Sequence, residues 1–324
     1  MSTILLTGGA GFIGSHLAGA LLKTGNHRII CIDNLDNFYP VGLKKENLYD
    51  LLQHRDFRFT EADIAALSLQ EWMHICRGER IDMIVHLAAK AGVRPSIAAP
   101  QEYYRTNVTG TLNLLEFARH AGIHDFIFTS SSSVYGNNPQ VPWKESGQLC
   151  PISPYAAGKI AGEHLGHVYA HLYDMRFTAL RLFTVYGPRQ RPDLAIHKFY
   201  NLMKADKEIS LYGDGTSSRD YTFIEDIIKG ILAAIDFPQQ EKYNIFNIGS
   251  GRPVSLLQMV HSLEDIMHKK AKIRFADKQP GDAQQTWADI SLASRQLYYR
   301  PDTAMEDGLR KFIQWKEKIT MVAY

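Results

Sequence analysis

The sequence is poor in cysteine, has no surplus of charge of one sign and contains no long apolar run. Its three cysteines, Cys31, Cys76 and Cys150, show neither the spacing of zinc ligands nor that of a redox dithiol, and are predicted to be reduced thiols of a cytoplasmic protein. The 36 basic and 34 acidic side chains nearly balance, which argues against nucleic acid as the main partner. No stretch of about eighteen apolar residues and no leader peptide is visible, so no membrane partner is predicted.

The first half of the chain alternates short β-rich apolar runs with segments of helix length. This alternation is typical of βαβ units and a parallel sheet. Strands are predicted at residues 3–7, 28–33, 57–60, 83–86, 125–129 and 177–182. After Phe183 the pattern loosens into shorter elements separated by prolines and glycines, and an amphipathic helix is predicted near Met305–Lys316.

A glycine-rich loop follows the first predicted strand. Gly9, Gly11 and Gly14 fit the spacing G-x-G-x-x-G and open a helix, whose backbone amides and positive end can hold a pyrophosphate. Asp33 ends the second strand, roughly the 20 residues downstream where a carboxylate bonds the adenosine ribose and repels a 2′-phosphate. The pattern therefore predicts NAD rather than NADP. Asp63, after the third strand, is a candidate for the adenine edge, and a turn or helix cap is the equally weighted alternative.

Tyr155 and Lys159 are four residues apart and share one face of a predicted helix. An ammonium beside a phenol, with the positive nicotinamide near both, is expected to lower the tyrosine pKa from its usual value of about 10. The phenol then becomes a usable general base. Ser131, at the end of the preceding strand, is placed to bond the same substrate oxygen. An ordinary surface pair is the alternative, since this spacing alone is common.

With these residues in place, the sequence resembles the extended short-chain dehydrogenase/reductase family and, within it, the nucleotide-sugar 4-epimerases, most of all the UDP-glucuronate 4-epimerases. The resemblance extends over nearly the whole chain. Its segments are Thr7-Gly8-Gly9-Ala10-Gly11-Phe12-Ile13-Gly14, Asp33-Asn34, His86-Leu87-Ala88-Ala89, Asn107-Val108-Thr109-Gly110-Thr111, Ser132-Ser133-Val134-Tyr135-Gly136, Ser153-Pro154-Tyr155, Lys159 and Arg219-Asp220-Tyr221-Thr222.

The resemblance implies a role for individual residues. Tyr155, Lys159 and Ser131 are expected to be catalytic. The residues expected to hold NAD are Gly8, Gly11, Phe12, Ile13, Gly14, Asp33, Asn34, Asp63, Ile64, Leu87, Ala88, Ala89, Asn107, Tyr155, Lys159 and Phe183. The residues expected to meet the UDP-sugar are Arg94, Ser132, Ser133, Thr184, Arg191, Arg219 and Asp282. For Arg94, an exposed loop arginine without substrate contact is the commoner alternative.

Sequence differences within the family favour one reaction. Related 4,6-dehydratases carry Asp-Glu, and nucleotide-sugar decarboxylases Ser-Glu, where this chain has Ser132-Ser133, so elimination and decarboxylation are disfavoured. The segment from Leu182 to Pro188 resembles the UDP-glucuronate enzymes, with Thr184 where UDP-galactose epimerases usually have asparagine. Gln279 stands where those enzymes generally carry arginine. The hydroxyls of Ser132, Ser133 and Thr184 can hold a C6 carboxylate through charge-assisted hydrogen bonds.

The favoured function is therefore NAD-dependent epimerisation of UDP-glucuronate to UDP-galacturonate through a 4-keto intermediate, in polysaccharide biosynthesis. Tyr155 is expected to take the proton of the 4-hydroxyl while a hydride passes to NAD. A UDP-glucose or UDP-N-acetylglucosamine 4-epimerase is the alternative, and Lys90 leaves the choice open because the uronate enzymes more often have glutamine there. A noncatalytic NAD-binding protein is disfavoured because Tyr155 and Lys159 are both present.

The predicted fold is α/β, a Rossmann-type doubly wound parallel sheet with a smaller C-terminal substrate-binding lobe. Residues 1–182 are predicted to form the sheet domain, to which a segment at about 220–248 returns, and residues 183–219 and 249–324 the smaller lobe. Three histidines share a face of the catalytic helix without a carboxylate in ligand register, so no metal is predicted and the face is expected to meet a second subunit of a homodimer. They are His164, His167 and His171.

Overall fold

The computed structural model describes residues 1–76, 79–238, 241–277 and 283–322. The strands are β1 Ser2–Thr7, β2 His27–Asp33, β3 Phe57–Glu61, β4 Met83–His86, β5 Asp125–Ser131, β6 Arg176–Leu182, β7 Thr184–Tyr186, β8 Ile209–Tyr212, β9 Ser218–Arg219, β10 Tyr221–Phe223, β11 Tyr243–Ile248, β12 Val254–Ser255 and β13 Ile273–Ala276. The α-helices are α1 Phe12–Lys23, α2 Val41–Leu52, α3 Leu69–Cys76, α4 Val93–Ala98, α5 Pro100–Tyr104, α6 Gly110–Ala121, α7 Pro154–Tyr173, α8 Ala195–Lys204, α9 Ile224–Ile235, α10 Leu256–Met267, α11 Ser291–Gln296 and α12 Met305–Val322.

Seven of the described strands form one parallel sheet in the order β11-β6-β5-β4-β1-β2-β3. The order in which strands are added to the sheet reverses at β1. β2 and β3 are added on one side of β1, and β4 then pairs with β1 on the other side. In such sheets, ligands bind at the carboxyl ends of the strands near this reversal. The predicted fold class is confirmed.

Both faces of this sheet are covered, which explains why its strands are continuously apolar in sequence. Successive residues of a strand point to opposite faces, so Leu6 packs in one core cluster with α1, α2 and α9 while Leu5 packs in the other with α3, α6 and α7. Both leucines are fully buried.

The six predicted strands are confirmed, with ends that differ by at most two residues from those observed. The largest difference is at β5, which continues to Ser131 because its last residues still pair with β6. β11 joins the sheet edge beside β6. The predicted C-terminal helix begins at Met305 as expected and continues to Val322. The division into two lobes stays a prediction. Among the described residues, no helix is both long and apolar enough to cross a membrane.

Candidate active site

A cavity of about 680 Å³ lies at the carboxyl ends of the central strands, and its walls come from segments between Gly8 and Gln284. It brings together most of the residues predicted from sequence. Those that line it are Gly8, Gly11, Phe12, Ile13, Gly14, Asp33, Asn34, Asp63, Ile64, Leu87, Ala88, Ala89, Arg94, Ser131, Ser132, Ser133, Tyr155, Phe183, Thr184, Arg191 and Arg219. Asn107 and Lys159 do not line the cavity, and Gln279 and Asp282 lie outside the described residues.

The glycine loop is packed too tightly for side chains. Gly8 has a φ of +78°, and a Cβ there would come within 2.6 Å of the Ala88 nitrogen. A Cβ on Gly14 would lie 2.2 Å from the Gly8 carbonyl oxygen. The following helix, α1, begins without a side-chain cap and has no acidic residue in its first turn, so no side chain of its own occupies the amides at its start. Close backbone approach and an uncapped helix start fit the pyrophosphate of NAD.

Asp33 lies beside this loop and is nearly fully buried. Its carboxylate accepts hydrogen bonds from the backbone nitrogens of Ala10 at 3.1 Å and Leu35 at 2.9 Å. Because a carboxylate has about four acceptor positions, two remain for ribose hydroxyls. Burial raises the pKa of Asp33, and the nearby Lys44 ammonium opposes that rise.

Lys44 is a cavity residue that the sequence analysis missed. It is buried in the first turn of α2, between the carboxylates of Asp33 and Asp36 and 4.9 Å from the centre of the Tyr39 ring. No local motif identifies it, since a lysine at a helix start is usually solvated. The only feature of the sequence that relates Lys44 to the site is its position, eleven residues after Asp33.

Two predicted cofactor residues have structural partners. Asp63 lines the cavity, but its carboxylate also accepts from the backbone nitrogen of Ala65 at 2.9 Å and pairs with Arg105 at 2.8 Å, as the turn alternative expected. The Asn107 side chain bonds both backbone groups of Lys90, at 2.8 and 2.9 Å. Asn107 therefore fixes the loop after β4 from behind the cavity wall, and its expected role in holding NAD stays a prediction.

Tyr155 lies in the first turn of α7. Ser153 caps this helix by accepting from the backbone nitrogen of Ala156 at 3.2 Å, and Pro154 occupies the first helical position, so the helix start is fixed by sequence. Ser131 lines the same cavity as the Tyr155 phenol. Burial raises the pKa of the phenol, while the Ser131 hydroxyl and the charge of Arg191 act in the opposite direction.

Lys159 lies one turn further along α7, behind the cavity wall. Its ammonium donates to the backbone oxygen of Thr129 at 2.7 Å and lies 4.9 Å from the centre of the Phe128 ring. Burial lowers the pKa of Lys159 to about 7, opposed by the Glu163 carboxylate. Lys159 is not among the groups that lower the pKa of Tyr155, and burial outweighs those that do. The expected lowering in the presence of the nicotinamide charge stays a prediction.

The hydroxyls predicted to meet the sugar lie at the ends of two strands. Ser132 and Ser133 form the start of a 3₁₀ turn after β5, and Thr184 begins β7. The Ser131 hydroxyl donates to that of Ser133 at 3.1 Å. All of these side chains face one cavity.

The three arginines predicted at the substrate also have protein contacts. Arg191 forms two hydrogen bonds with Asp193, at 3.0 and 2.7 Å. Arg94 lies 4.5 Å from the centre of the Tyr212 ring, and Arg219 donates to the Ser218 carbonyl at 2.9 Å. Within the described parts of the chain, no group of three or more His, Cys, Asp or Glu side chains is arranged to hold a metal.

Comparison with known proteins agrees with this geometry. The family model described as NAD dependent epimerase/dehydratase family matches residues 4–249. The chain is 39% identical to a UDP-glucuronate 4-epimerase of Thermodesulfobacterium geofontis, over 99% of this chain and 98% of that one. It superposes with a TM-score of 0.93, at 40% identity and over 98% and 99% of the two chains, on a UDP-glucuronic acid 4-epimerase from Bacillus cereus solved with UDP-glucuronic acid and NAD.

A second solved structure carries a neutral sugar. It is the UDP-glucose 4-epimerase of Thermotoga maritima with UDP-glucose, which superposes with a TM-score of 0.89 at 32% identity, over 98% of this chain and 99% of that one. The match of the family model to three quarters of the sequence, together with the high coverage of both solved structures, leads to one conclusion: the chain belongs to the NAD dependent epimerase/dehydratase family.

Proposed function

We propose that this protein is a cytoplasmic NAD-dependent UDP-sugar 4-epimerase whose substrate is UDP-glucuronate and whose product is UDP-galacturonate. The observation that carries the proposal is the hydroxyl group around Tyr155. The hydroxyls of Ser131, Ser132, Ser133 and Thr184 line the same cavity as the Tyr155 phenol. The relatives named UDP-glucuronate 4-epimerase support the same substrate.

In this proposal, the chain's own residues bind the cofactor and move one proton. When bound, NAD would supply reversible hydride transfer at C4 of the sugar. The backbone of the glycine loop holds the pyrophosphate, and Asp33 accepts from the ribose hydroxyls. Tyr155 removes the proton of the 4-hydroxyl and returns it in the second half of the reaction, while Ser131 bonds the same oxygen.

The part of the cavity that holds the sugar must also prevent the 4-keto intermediate from losing carbon dioxide. Oxidation of a uronate at C4 gives a β-keto acid, which loses carbon dioxide when its carboxylate rotates out of the ring plane. Hydrogen bonds from Ser132, Ser133 and Thr184 hold the carboxylate in that plane. Each of these groups is a hydroxyl, so none repels the substrate's charge. The segment also has no carboxylate that could promote elimination.

An NMR assay of several UDP-sugars tests the proposal. Incubation with UDP-glucuronate is expected to give UDP-galacturonate at equilibrium without added NAD, because the cofactor is regenerated in each cycle. UDP-glucose and UDP-N-acetylglucosamine are expected to react at least tenfold more slowly, since a charge-assisted bond contributes roughly 1.5–3 kcal/mol. Faster conversion of a neutral sugar would make the protein a neutral-sugar epimerase. Binding of NADH without turnover of any sugar would favour a noncatalytic role.

Assembly is proposed from the outer surface of α7. His164, Val168 and Leu172 are spaced by four residues and all three are exposed, Leu172 at 58%. Leu112 on the neighbouring α6 is also exposed. An apolar stripe of this kind on two adjacent helices fits a second copy of the same chain in a symmetric homodimer. His167 instead packs edge-to-face on Tyr243, 5.0 Å between ring centres.

A further inference from the structure

Lys90, whose charge departs from the glutamine more usual in the uronate enzymes, has two acidic partners. Its ammonium lies 3.2 Å from the Asp36 carboxylate and 2.9 Å from that of Glu102. Lys90 and Asp36 line the cavity, and Glu102 belongs to α5. The charge of Lys90 is therefore already balanced by the protein, so it does not require a substrate anion.

The sheet order shows what the Lys90–Asp36 ion pair crosses. Asp36 follows β2 and Lys90 follows β4, and these two strands are not neighbours because β1 lies between them. The glycine loop extends from the carboxyl end of β1. The ion pair thus joins two loops on either side of the segment that fits the pyrophosphate, and it bridges the middle of the dinucleotide site.

One side of this bridge is fixed more firmly than the other. The Lys90 backbone is clamped by both hydrogen bonds of the Asn107 side chain, and its ammonium also pairs with Glu102. The hydrogen bonds around Asp36 are local to its own loop, since its backbone nitrogen donates to Asn34 at 3.0 Å and its carboxylate accepts from Phe38 at 2.9 Å. The Asp36 loop is therefore the side that can swing away.

Arg191 makes further contacts between these loops, on the side of the cavity where the substrate is proposed to bind. The Arg191 guanidinium lies 5.0 Å from the centre of the Phe38 ring and donates to the Ala91 carbonyl at 3.2 Å. Phe38, Ala91 and Arg191 all line the cavity. The loops after β2, β4 and β7 are thus joined to one another across the site.

We propose that Asp36 and Lys90 form a latch over the bound dinucleotide, and that opening of this ion pair sets the rate at which NAD leaves. An epimerase regenerates its NAD in every cycle and does not need to exchange it. Release of NAD therefore interrupts catalysis, and slow release keeps the enzyme active. The inference rests on NAD binding and does not depend on which sugar is converted. Asp36 and Lys90 act here as positioning residues, because they hold the cofactor in place and do not touch the reacting atoms.

The test measures cofactor exchange. Purified holoenzyme is mixed with excess NADH, and the rise in fluorescence of bound NADH reports the release of NAD. Asp36→Asn and Lys90→Gln are each expected to speed release about two- to fivefold, the range expected for a partly exposed pair. The double variant is expected to be no faster than the faster single variant, because both changes break one contact. Lys90→Arg keeps the ion pair and is expected to retain the wild-type rate.

Two controls separate the latch from other roles of Lys90. Glu102→Gln removes one negative charge, as Asp36→Asn does, but leaves the bridge intact, so release is expected to change less than twofold. Wild-type release is expected to quicken with added salt, and the Asp36→Asn variant is expected to lose that dependence. If Lys90 instead bound the pyrophosphate directly, Asp36→Asn would free it for the ligand and slow release. A wild-type or slower rate in Asp36→Asn overturns the latch, whatever the sugar assay gives.

Discussion

Tyr155 is surrounded by groups that act on its pKa in opposite directions. Burial raises the pKa of the phenol, and the Ser131 hydroxyl and the Arg191 charge offset part of that rise. Lys159 directs its ammonium to the Thr129 carbonyl. The phenol is thus kept protonated until a further positive charge enters the cavity. Because NAD carries that charge on its nicotinamide, the base is expected to form only in the complex.

Replacement of this base gives the first prediction. Tyr155→Phe is expected to lower turnover by about 10²–10⁴-fold, the usual contribution of a general acid–base group, because no other hydroxyl can take the proton from the same position. NAD affinity is expected to change less than threefold. Turnover is measured by NMR and NAD affinity by fluorescence titration. Activity within tenfold of wild type would assign the base to another residue.

The carboxylate subsite gives the second prediction. Thr184→Val keeps the shape of the side chain but removes one hydroxyl, so UDP-glucuronate turnover is expected to fall about tenfold or more through loss of a charge-assisted bond. More pentose product is also expected, since the freed carboxylate can rotate out of the ring plane and leave as carbon dioxide. Both products are measured together by NMR.

The matched control for this change is Thr184→Ser, which restores the hydroxyl and is expected to recover most of the activity. UDP-glucose provides a second comparison, because a neutral sugar is expected to lose less. Equal losses on both sugars, with no rise in pentose, would remove Thr184 from the carboxylate subsite.

At the scale of elements, α7 connects the catalytic residues to the sheet through a buried ion pair. Glu163, one turn beyond Lys159, pairs with Arg181 of β6 at 2.7 Å and accepts from the Ser130 hydroxyl of β5 at 2.5 Å. The side chains of Glu163 and Arg181 are 3% and 2% exposed, so solvent does not screen their charges. The ion pair thus joins α7, which carries Tyr155, to β6. The hydrogen bond from Ser130 joins α7 to β5, the strand that ends at Ser131.

This arrangement predicts a large loss of stability in Glu163→Gln. The variant leaves the Arg181 guanidinium buried without a counter-charge, which is expected to lower the free energy of unfolding by about 3–5 kcal/mol. Urea denaturation measures this change. A double variant, Glu163→Met with Arg181→Met, removes both charges and is expected to be more stable than the single one. A loss below about 1 kcal/mol in Glu163→Gln would show that the charge is compensated elsewhere.

For the whole molecule, two histidines, the half-buried His16 and the buried His86, link stability to pH. Burial lowers the pKa of His16 to about 4 and that of His86 to about 3, whereas an unfolded histidine titrates near 6.5. Between these values the unfolded chain binds protons that the folded chain does not, so stability rises with pH. It is expected to be full above pH 6.5 and to decrease as the pH falls toward 4.

The free energy of unfolding, measured by urea denaturation at pH 6.5 and at pH 5, tests this linkage. Both pH values lie above the range in which most carboxylates titrate. His16→Gln keeps a donor for the Pro188 carbonyl, which His16 bonds at 3.0 Å. In this variant the free energy of unfolding is expected to decrease less between pH 6.5 and pH 5 than in the wild type. His74→Gln, an exposed site on α3, is the control and is expected to leave this decrease unchanged. The same slope in wild type and His16→Gln would contradict the assignment.

The assembly of the whole molecule gives a further prediction. Leu172→Asp places a charge in the exposed stripe of α7, so it is expected to convert the proposed homodimer to monomer in sedimentation velocity. Tyr298→Asp is a matched control, because Tyr298 is 83% exposed but lies outside that stripe. A wild-type chain that sediments as a monomer would contradict the homodimer.

The sequence predicted the parts of this molecule that depend on spacing along the chain. The glycine loop, the strands and the helix that carries Tyr155 and Lys159 follow from local patterns, and the structure shows these elements, although Lys159 lies behind the cavity wall. Contacts between distant loops have no such periodicity, so the burial of Lys44 beside Asp33 and the ion pair between Asp36 and Lys90 were not predicted. The burial that raises the pKa of Tyr155 was not predicted for a related reason, since desolvation depends on everything that surrounds a group.

The spread of the cavity walls along the chain, from Gly8 to Gln284, has a consequence for biosynthesis. The residues proposed to hold NAD are all present in the nascent chain once Phe183 has emerged, whereas a wall of the sugar end is added about a hundred residues later. At typical translation rates of roughly 5–20 residues per second, that interval is on the order of ten seconds. The residues proposed to hold NAD are thus synthesised before the last cavity wall, Gln284, is added.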